Sequence, residues 1–329
     1  MRCVVLGAGA IGGVVAGHLA RAKRDVLLLA RGPHLDVIRA AGLRVETPGG
    51  AFVATPPVAA SDEPIEWRAD DLVILAVKTQ HAAAALATLA PPPHVPIACF
   101  TNGVEAERIA LRHTNHVLGV CVMMPATFLT PGVVQAWGTP VPGLLDIGRY
   151  PDGSGVHADE LVGELLVAGF ESEVRPAIMR WKRAKLLTNL ANGAEALCGP
   201  PARNGELAAA ARAEGRACFQ AANLAWIYEP EERARRGDFA SRPIAGTARG
   251  GGSTWQSLTR GHVALETDYL NGEIAMLGRL HGVPTPINTG LQQVAAAAAR
   301  ARVAPASWTE AMLAERVAAA AAEAPLARS

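Results

Sequence analysis

The chain has 329 residues, which is longer than a domain with one hydrophobic core usually is. Half of its residues are hydrophobic and 5% are aromatic. Its 31 basic and 30 acidic residues leave a formal net charge of +1, so no basic field exists that would attract nucleic acid. No uninterrupted run of 18 apolar residues occurs, so the sequence predicts no membrane-spanning helix and no membrane partner. We expect two domains, residues 1–176 and residues 177–329.

The first domain begins with short apolar runs that alternate with helical segments. The predicted order is strand 2–6, helix 11–22, strand 25–30, strand 72–77, helix 81–89 and strand 97–100. Strands of continuous apolar character that alternate with helices are typical of a parallel sheet covered on both faces. The pattern therefore predicts an α/β domain with a Rossmann-type, doubly wound parallel sheet.

The rest of the first domain carries turn residues, and the second domain is helical. Residues 47–64 are predicted as a loop or edge hairpin, and residues 117–147 as closing antiparallel strands. Beyond Pro176 the pattern becomes helical, which predicts an all-α C-terminal domain. Its predicted helices are 178–197, 206–228, 262–280 and an alanine-rich C-terminal region.

A glycine-rich segment follows the first strand directly and opens the first helix. It consists of Gly7, Ala8, Gly9, Ala10, Ile11 and Gly12. In a dinucleotide-binding turn the first glycine permits the tight bend, the second lets backbone amides approach the pyrophosphate, and the third lets the helix pack closely on the strand. The segment predicts a nucleotide site at the N-terminus of the helix.

Three further residues follow predicted strands of the same sheet. NAD-binding units usually end the second strand with a carboxylate, but this chain has Arg31 there. A guanidinium can pair with a 2′-phosphate, so Arg31 favours NADP, with a solvated surface arginine as the alternative. Lys78 and Asn102 follow the next two strands, at the edge where open α/β sheets bind their ligands.

The predicted helix 178–197 carries polar residues at helical spacing. Lys185, Asn189 and Asn192 lie at i, i+4 and i+7 and would share one face. Polar groups that line a binding site and a solvated helix face are both compatible with this spacing. Lysine occurs at only four positions, so its presence here favours a chemical role.

These motifs, taken in order, resemble the ketopantoate reductase family over nearly the whole chain. The matching segments are GAGAIG at 7–12, Arg31, VKT at 77–79, TNG at 101–103, W-x-x-x-K at 181–185, NGEL at 204–207, ETDYLNGEI at 266–274 and HGVPTPIN at 281–288. The resemblance implies NADPH-dependent reduction of 2-dehydropantoate, a small 2-keto acid, to pantoate on the route to pantothenate.

The resemblance also implies roles for single residues. Lys185 would give the proton to the developing alkoxide, and Glu266 would lie near both that lysine and the cofactor. Asn102, Asn189 and Asn204 would bond the substrate, and Ser253 would bond its carboxylate. An ammonium suits the first role because it stabilises negative charge as the charge forms and can then release a proton.

Three departures from the family pattern leave the substrate open. The family usually has a second asparagine where this chain has Gly193, with Asn192 one residue earlier. One extra residue lies between Ser257 and Glu266, and another precedes NGEL. A paralogous reductase of another 2-keto acid or imine is therefore an alternative, as is an NADP-sensing protein without activity.

Other classes of site lack their signatures in this sequence. Its nine histidines and five cysteines show no metal-ligand spacing, and no G-x-S-x-G occurs, so neither a metal enzyme nor a serine hydrolase is predicted. Scattered cysteines predict reduced thiols in a cytoplasmic protein. The alanine-rich C-terminal helices suit a homodimer, but composition leaves the oligomeric state open.

Overall fold

A computed structural model of the chain describes residues 1–323, and these form two compact units. The first unit comprises Met1–Lys182 together with Ile227–Arg249, and the second comprises Arg183–Trp226 and the chain from Gly250 onward. Each unit has its own secondary structure and is described by itself.

The first half of the chain contains most of the strands. In order, its elements are β1 (Arg2–Leu6), α1 (Ala10–Arg21), β2 (Val26–Ala30), α2 (Gly32–Ala41), β3 (Leu43–Thr47), β4 (Gly50–Ala54), β5 (Val58–Ala60), β6 (Asp71–Leu75), α3 (Thr79–Leu89), β7 (Ile97–Cys99), α4 (Ala106–Ala110), β8 (Val117–Met123), β9 (Ala126–Thr127), β10 (Val133–Ala136), β11 (Gly138–Thr139), β12 (Leu144–Arg149) and α5 (Val156–Val167).

The second half is largely helical. Its elements are α6 (Ile178–Asn189), α7 (Asn192–Cys198), a 3-10 turn (Pro200–Asn204), α8 (Glu206–Ala221), α9 (Glu229–Arg236), β13 (Ala240–Ser241), α10 (Ser253–Thr259), a second 3-10 turn (Glu266–Tyr269), α11 (Asn271–His281), α12 (Pro286–Arg300) and α13 (Glu310–Glu323).

A seven-stranded sheet forms the centre of the first unit, in the order β12-β8-β7-β6-β1-β2-β5. All its pairs are parallel except that between β12 and β8. Alternate residues of β1 enter two separate cores, Cys3 and Val5 on one face and Val4 and Leu6 on the other. The sheet is therefore covered on both faces, which confirms the predicted doubly wound α/β fold.

The predicted hairpin at residues 47–64 differs from the structure. The hairpin is β3 with β4, and it belongs to a second, four-stranded sheet, β4-β3-β10-β9. Only β5 joins the main sheet, beside β2. Helix α1 approaches the second sheet closely, because a Cβ at Gly13 would lie 2.7 Å from a methyl carbon of Val134 and one at Gly17 2.5 Å from Val45.

The closing strands at residues 117–147 also differ in part, because β8 pairs in parallel with β7 and only β12 runs antiparallel. The first unit further includes residues 227–249, which the predicted division placed in the second domain. β13 pairs with β11, and Arg235 lies 2.7 Å from the fully buried carboxylate of Asp146. These contacts explain why residues 227–249 belong to the first unit. The predicted second domain ended at residue 329, and residues 324–329 lie outside the described residues.

The helix predicted over residues 178–197 is two helices, α6 and α7, and this corrects the continuous polar face. The break leaves the Leu190 carbonyl outside the helix, and the Asn271 side-chain amide donates a hydrogen bond to it at 3.0 Å. Asn271 also donates to Asn288 Oδ1, whose own amide donates to the Ala211 carbonyl. Buried asparagines thus hold the helices of the second unit together.

Candidate nucleotide and substrate sites

The glycine segment forms a turn between β1 and α1 with open space in front of it. Gly7 has φ +111°, and a Cβ there would lie 2.8 Å from a Val77 methyl carbon. A Cβ at Gly12 would overlap the carbonyl oxygen of Gly7, so the helix can begin there only without a side chain. A Cβ at Gly9 would meet nothing within 4 Å. The space in front of Gly9, beside the N-terminus of α1, is therefore open.

A buried histidine, which was not predicted from the sequence, holds this turn in place. His34 Nε2 donates to the Ala8 carbonyl at 2.8 Å, and its Nδ1 accepts from the Gly132 amide at 2.8 Å. One ring nitrogen donates and the other accepts, so the neutral ring fits both bonds. Burial lowers the pKa of His34, which keeps the ring neutral.

The other predicted nucleotide residues lie at the ends of neighbouring strands. Arg31 is exposed just after β2, Lys78 is half-buried before α3, and Asn102 follows β7. Since β7, β6, β1 and β2 are adjacent and parallel, their carboxyl ends lie along one edge. The Thr79 hydroxyl donates to the Asn102 carbonyl at 3.3 Å and so connects two of the segments.

In the second unit, Lys185 and Asn189 remain one turn apart on α6. Lys185 is half-buried and Asn189 is 6% exposed. Asn192 begins α7 instead, and its Oδ1 accepts a hydrogen bond from Arg203 at 3.2 Å. Asn192, which stands one residue too early for the family pattern, is therefore bound by Arg203 of the same unit.

Asn204, Ser253 and Glu266 come from three different segments of the second unit. Asn204 is exposed at the end of the first 3-10 turn, and Glu266 is buried at the start of the second. Ser253 begins α10, and the structure gives its buried Oγ no hydrogen-bond partner among residues 1–323. A buried hydroxyl of this kind can donate a hydrogen bond to an oxygen atom of a ligand.

A charged pair that the sequence analysis missed connects two of these segments. Arg203, next to Asn204, lies 2.5 Å from Glu195, and Glu195 also accepts from the Gly252 amide at 3.2 Å. Gly252 precedes Ser253 directly. In the sequence, Arg203 is marked only by its place directly before NGEL.

The described residues contain neither a metal-binding cluster nor a membrane-spanning helix. Within residues 1–323 no group of three or more His, Cys, Asp or Glu is arranged to hold a metal ion. No helix in that part of the chain is long and apolar enough to cross a membrane.

Family models and curated relatives both match the chain. The model described as ketopantoate reductase PanE/ApbA matches residues 3–152, and that of its C terminal part matches residues 177–299. A 2-dehydropantoate 2-reductase of Pyrococcus horikoshii is 31% identical over 192 residues, which span 58% of this chain and 62% of that protein. A 2-dehydropantoate 2-reductase of Halobacterium salinarum is 29% identical over 302 residues, 87% of this chain and 95% of that protein.

Solved structures show the same fold. The PanE/ApbA family ketopantoate reductase of Ralstonia eutropha JMP134 has a TM-score of 0.76 at 26% identity, covering 92% of this chain and 99% of that one. D-mandelate dehydrogenase, solved with NADH and anilino(oxo)acetate, has a TM-score of 0.78 at 22% identity, again covering 92% and 99%. The second likeness shows the fold alone.

Proposed function

The chain belongs to the ketopantoate reductase PanE/ApbA family, and on this premise we propose that it reduces 2-dehydropantoate to pantoate with NADPH, a step of pantothenate biosynthesis. The observation that carries the proposal is the turn at Gly7 to Gly12, which opens a helix N-terminus to solvent at the carboxyl end of β1. The family match supports this reaction among those that use a dinucleotide.

Residues of the first unit would hold the nucleotide. The backbone amides after Gly9 would bind the pyrophosphate, and Lys78 and Asn102 would bind from the ends of the next strands. When bound, NADPH supplies the hydride that reaches the keto carbon. The family resemblance also assigns Glu266 to cofactor binding.

Lys185 would act on the substrate oxygen. Its ammonium would stabilise the negative charge that grows on this oxygen and then transfer a proton to it, which yields the hydroxyl of pantoate. The carboxylate of Glu266 would favour the charged form of the lysine before the transfer. Asn189 and Asn204 would donate to substrate oxygens, and the Ser253 hydroxyl would donate to the substrate carboxylate.

Arg31 supports NADPH over NADH. The residue is exposed directly after β2, where dinucleotide-binding units of the NAD type carry a carboxylate that bonds the ribose hydroxyls. A guanidinium there would pair with the 2′-phosphate through two parallel hydrogen bonds. D-mandelate dehydrogenase, solved with NADH, shows that this fold also serves the other cofactor, so the choice rests on the side chains.

A second candidate function is the reduction of a different 2-keto acid. It is favoured by the bond between Asn192 and Arg203, which keeps one amide of the second unit from the role that the family gives a nearby asparagine. This function would use the same type of reaction and the same cofactor, and its substrate would differ from 2-dehydropantoate in the group attached to the keto carbon.

The test follows absorbance at 340 nm, where the reduced cofactor absorbs, with 2-dehydropantoate and either NADPH or NADH. We expect turnover with NADPH that falls about 10²–10⁴-fold in Lys185→Ala, the usual contribution of a general acid. Lys23→Ala is the matched control, because Lys23 is exposed in the first unit and has no proposed role. Arg31→Ala should weaken NADPH binding and leave NADH binding unchanged, whereas Arg39→Ala, on exposed α2 surface, should change neither.

Outcomes other than this would separate the candidates. Tight NADPH binding with turnover of other keto acids alone would favour the second candidate. Tight binding with no turnover of any keto acid would indicate a nucleotide sensor and overturn the proposed reaction. Equal use of NADH and NADPH would overturn the role of Arg31.

We also propose the cytoplasm as the compartment, because the five cysteines form no disulfide in the structure and four of them are buried. A homodimer stays a prediction from composition, and equilibrium sedimentation would test it.

A further inference from the structure

A second lysine of α6, Lys182, is buried in the first unit. Its side chain is 2% exposed, and its Nζ lies 2.7 Å from Oε1 of Glu107, whose side chain is fully buried. The same Nζ donates to the Thr101 carbonyl at 2.9 Å and to the Val120 carbonyl at 3.2 Å. Two carbonyl oxygens therefore accept hydrogen bonds from this ammonium, and the carboxylate of Glu107 lies at ion-pair distance from it.

Stability alone explains this pair poorly. Removing two charges from water costs free energy, and hydrophobic residues of similar volume often replace a buried ion pair without loss. Burial raises the pKa of Glu107, while the nearby ammonium of Lys182 favours its charged form. The pair is therefore better explained by what it holds in place.

What it holds is the turn that carries Asn102. Thr101 lies two residues past the end of β7, and its carbonyl accepts the bond from Lys182. The next carbonyl, that of Asn102, accepts from the Thr79 hydroxyl, and Gly103 then turns the chain with φ +73°. Two side chains from distant segments thus fix two successive peptide groups at the proposed nucleotide edge.

We propose that Lys182 and Glu107 are a positioning pair for Asn102. Lys182 reaches the end of β7, strand β8 and helix α4 with one group, so it fixes the turn relative to all three. Glu107 compensates the charge that makes those bonds strong and touches no part of the turn. The pair acts only through Asn102, so this inference rests on the proposed function of that residue.

The first unit offers a matched control in the pair of Arg2 and Asp71. Arg2 Nε lies 2.6 Å from Asp71 Oδ1, and the two side chains are 9% and 0% exposed. Both residues begin their strands, β1 and β6, so this pair lies at the opposite edge of the same sheet. It shares the burial and the charges of the first pair and lacks any contact with the proposed site.

The experiment compares Lys182→Met/Glu107→Leu with Arg2→Met/Asp71→Leu in the full chain. Urea unfolding, NADPH binding by fluorescence titration, and kcat and KM for 2-dehydropantoate are measured for each. We expect both doubles to fold, and only the first to weaken NADPH binding at least fivefold and to lower kcat/KM at least tenfold. The control should keep both quantities within twofold of wild type, whatever its loss of stability.

Equal changes in the two doubles would overturn the proposal. Failure to fold by the first double, and also by Lys182→Met/Glu107→Gln, would assign the pair to the core and overturn it as well. If the wild type binds NADPH but reduces no 2-dehydropantoate, the proposed function fails separately. NADPH affinity alone then decides the positioning role, by the same fivefold criterion.

Discussion

Two alanine substitutions in the glycine turn, three residues apart, should affect different properties: Gly12→Ala the stability of the fold, and Gly9→Ala the binding of the nucleotide. Gly12→Ala places a methyl group on the Gly7 carbonyl oxygen and 2.9 Å from the Ala76 Cβ, both parts of the packed turn. Gly9→Ala places its methyl group in open space, and Gly9 lies at an ordinary backbone angle, φ −70°. The first change should therefore disturb packing, and the second should disturb only what occupies that space.

The magnitudes follow from general values. Overpacking costs about 1–3 kcal/mol, and a backbone carbonyl cannot rotate away, so the upper value applies to Gly12→Ala. Alanine recovers about 1 kcal/mol of helix propensity at that position, which leaves a net loss of about 2 kcal/mol. Gly9→Ala affects a helix cap without a side-chain bond, so we expect a change within about 1 kcal/mol.

Urea unfolding and NADPH titration together separate the two effects. Gly9→Ala should unfold near the wild-type midpoint and bind NADPH more than about tenfold weaker, equivalent to about 1.4 kcal/mol. Gly12→Ala should show the lower midpoint with an unchanged m value. Wild-type affinity in Gly9→Ala would refute the placement of the pyrophosphate, and wild-type stability in Gly12→Ala would refute the packing argument.

Three further expectations concern other parts of the chain. Burial lowers the pKa of His18 from 6.5 to about 4, so between these pH values only the unfolded chain binds a proton at this residue. The contribution of neutral His18 to the free energy of unfolding is therefore fully present above pH 6.5 and falls as the pH is lowered, by about 2 kcal/mol at pH 5. Urea unfolding at pH 7.5 and 5 should show this loss, and His18→Phe should remove that part of it. Arg203→Met should raise the KM for the keto acid several-fold, because Glu195, which holds the segment before Ser253 through the Gly252 amide, loses its cation. The affinity for NADPH should not change, and an equal weakening of keto acid and NADPH binding would contradict this. Asn288→Ala should lower the free energy of unfolding by about 2–3 kcal/mol, since it leaves Asn271 and a buried carbonyl without their partner; a thermal unfolding midpoint like that of wild type would contradict it.

The sequence predicted those features of the fold that depend on neighbouring residues. The glycine spacing after β1 fixed the turn, because steric limits on Gly7 and Gly12 come from residues within a few positions and from the adjacent strand. The same holds for Arg31, Lys78 and Asn102, which were placed at one edge because parallel strands end together. Continuous apolar runs distinguished the buried main sheet from the rest.

Features that depend on distant partners were missed. The break between α6 and α7 has no glycine or proline to mark it, and it is stabilised by Asn271 from another helix. Residues 227–249 read as part of the helical domain, yet Arg235 and the buried Asp146 place them with the first unit. Lys182 was visible only as one of four lysines, because its partner Glu107 lies on a separate segment.

Two of the three departures from the family pattern lie together in the second unit. Asn192 stands one residue early, and Arg203, which directly precedes NGEL, donates a hydrogen bond to it. Glu195 extends this contact to the Gly252 amide and so to the segment of Ser253. Moving the asparagine back to position 193 would place its Cβ 3.7 Å from the Cβ of Ala295, away from the Arg203 bond. If the proposed function holds, we expect these changes to alter which keto acid is bound and to leave the nucleotide and the proposed proton donor, Lys185, unchanged.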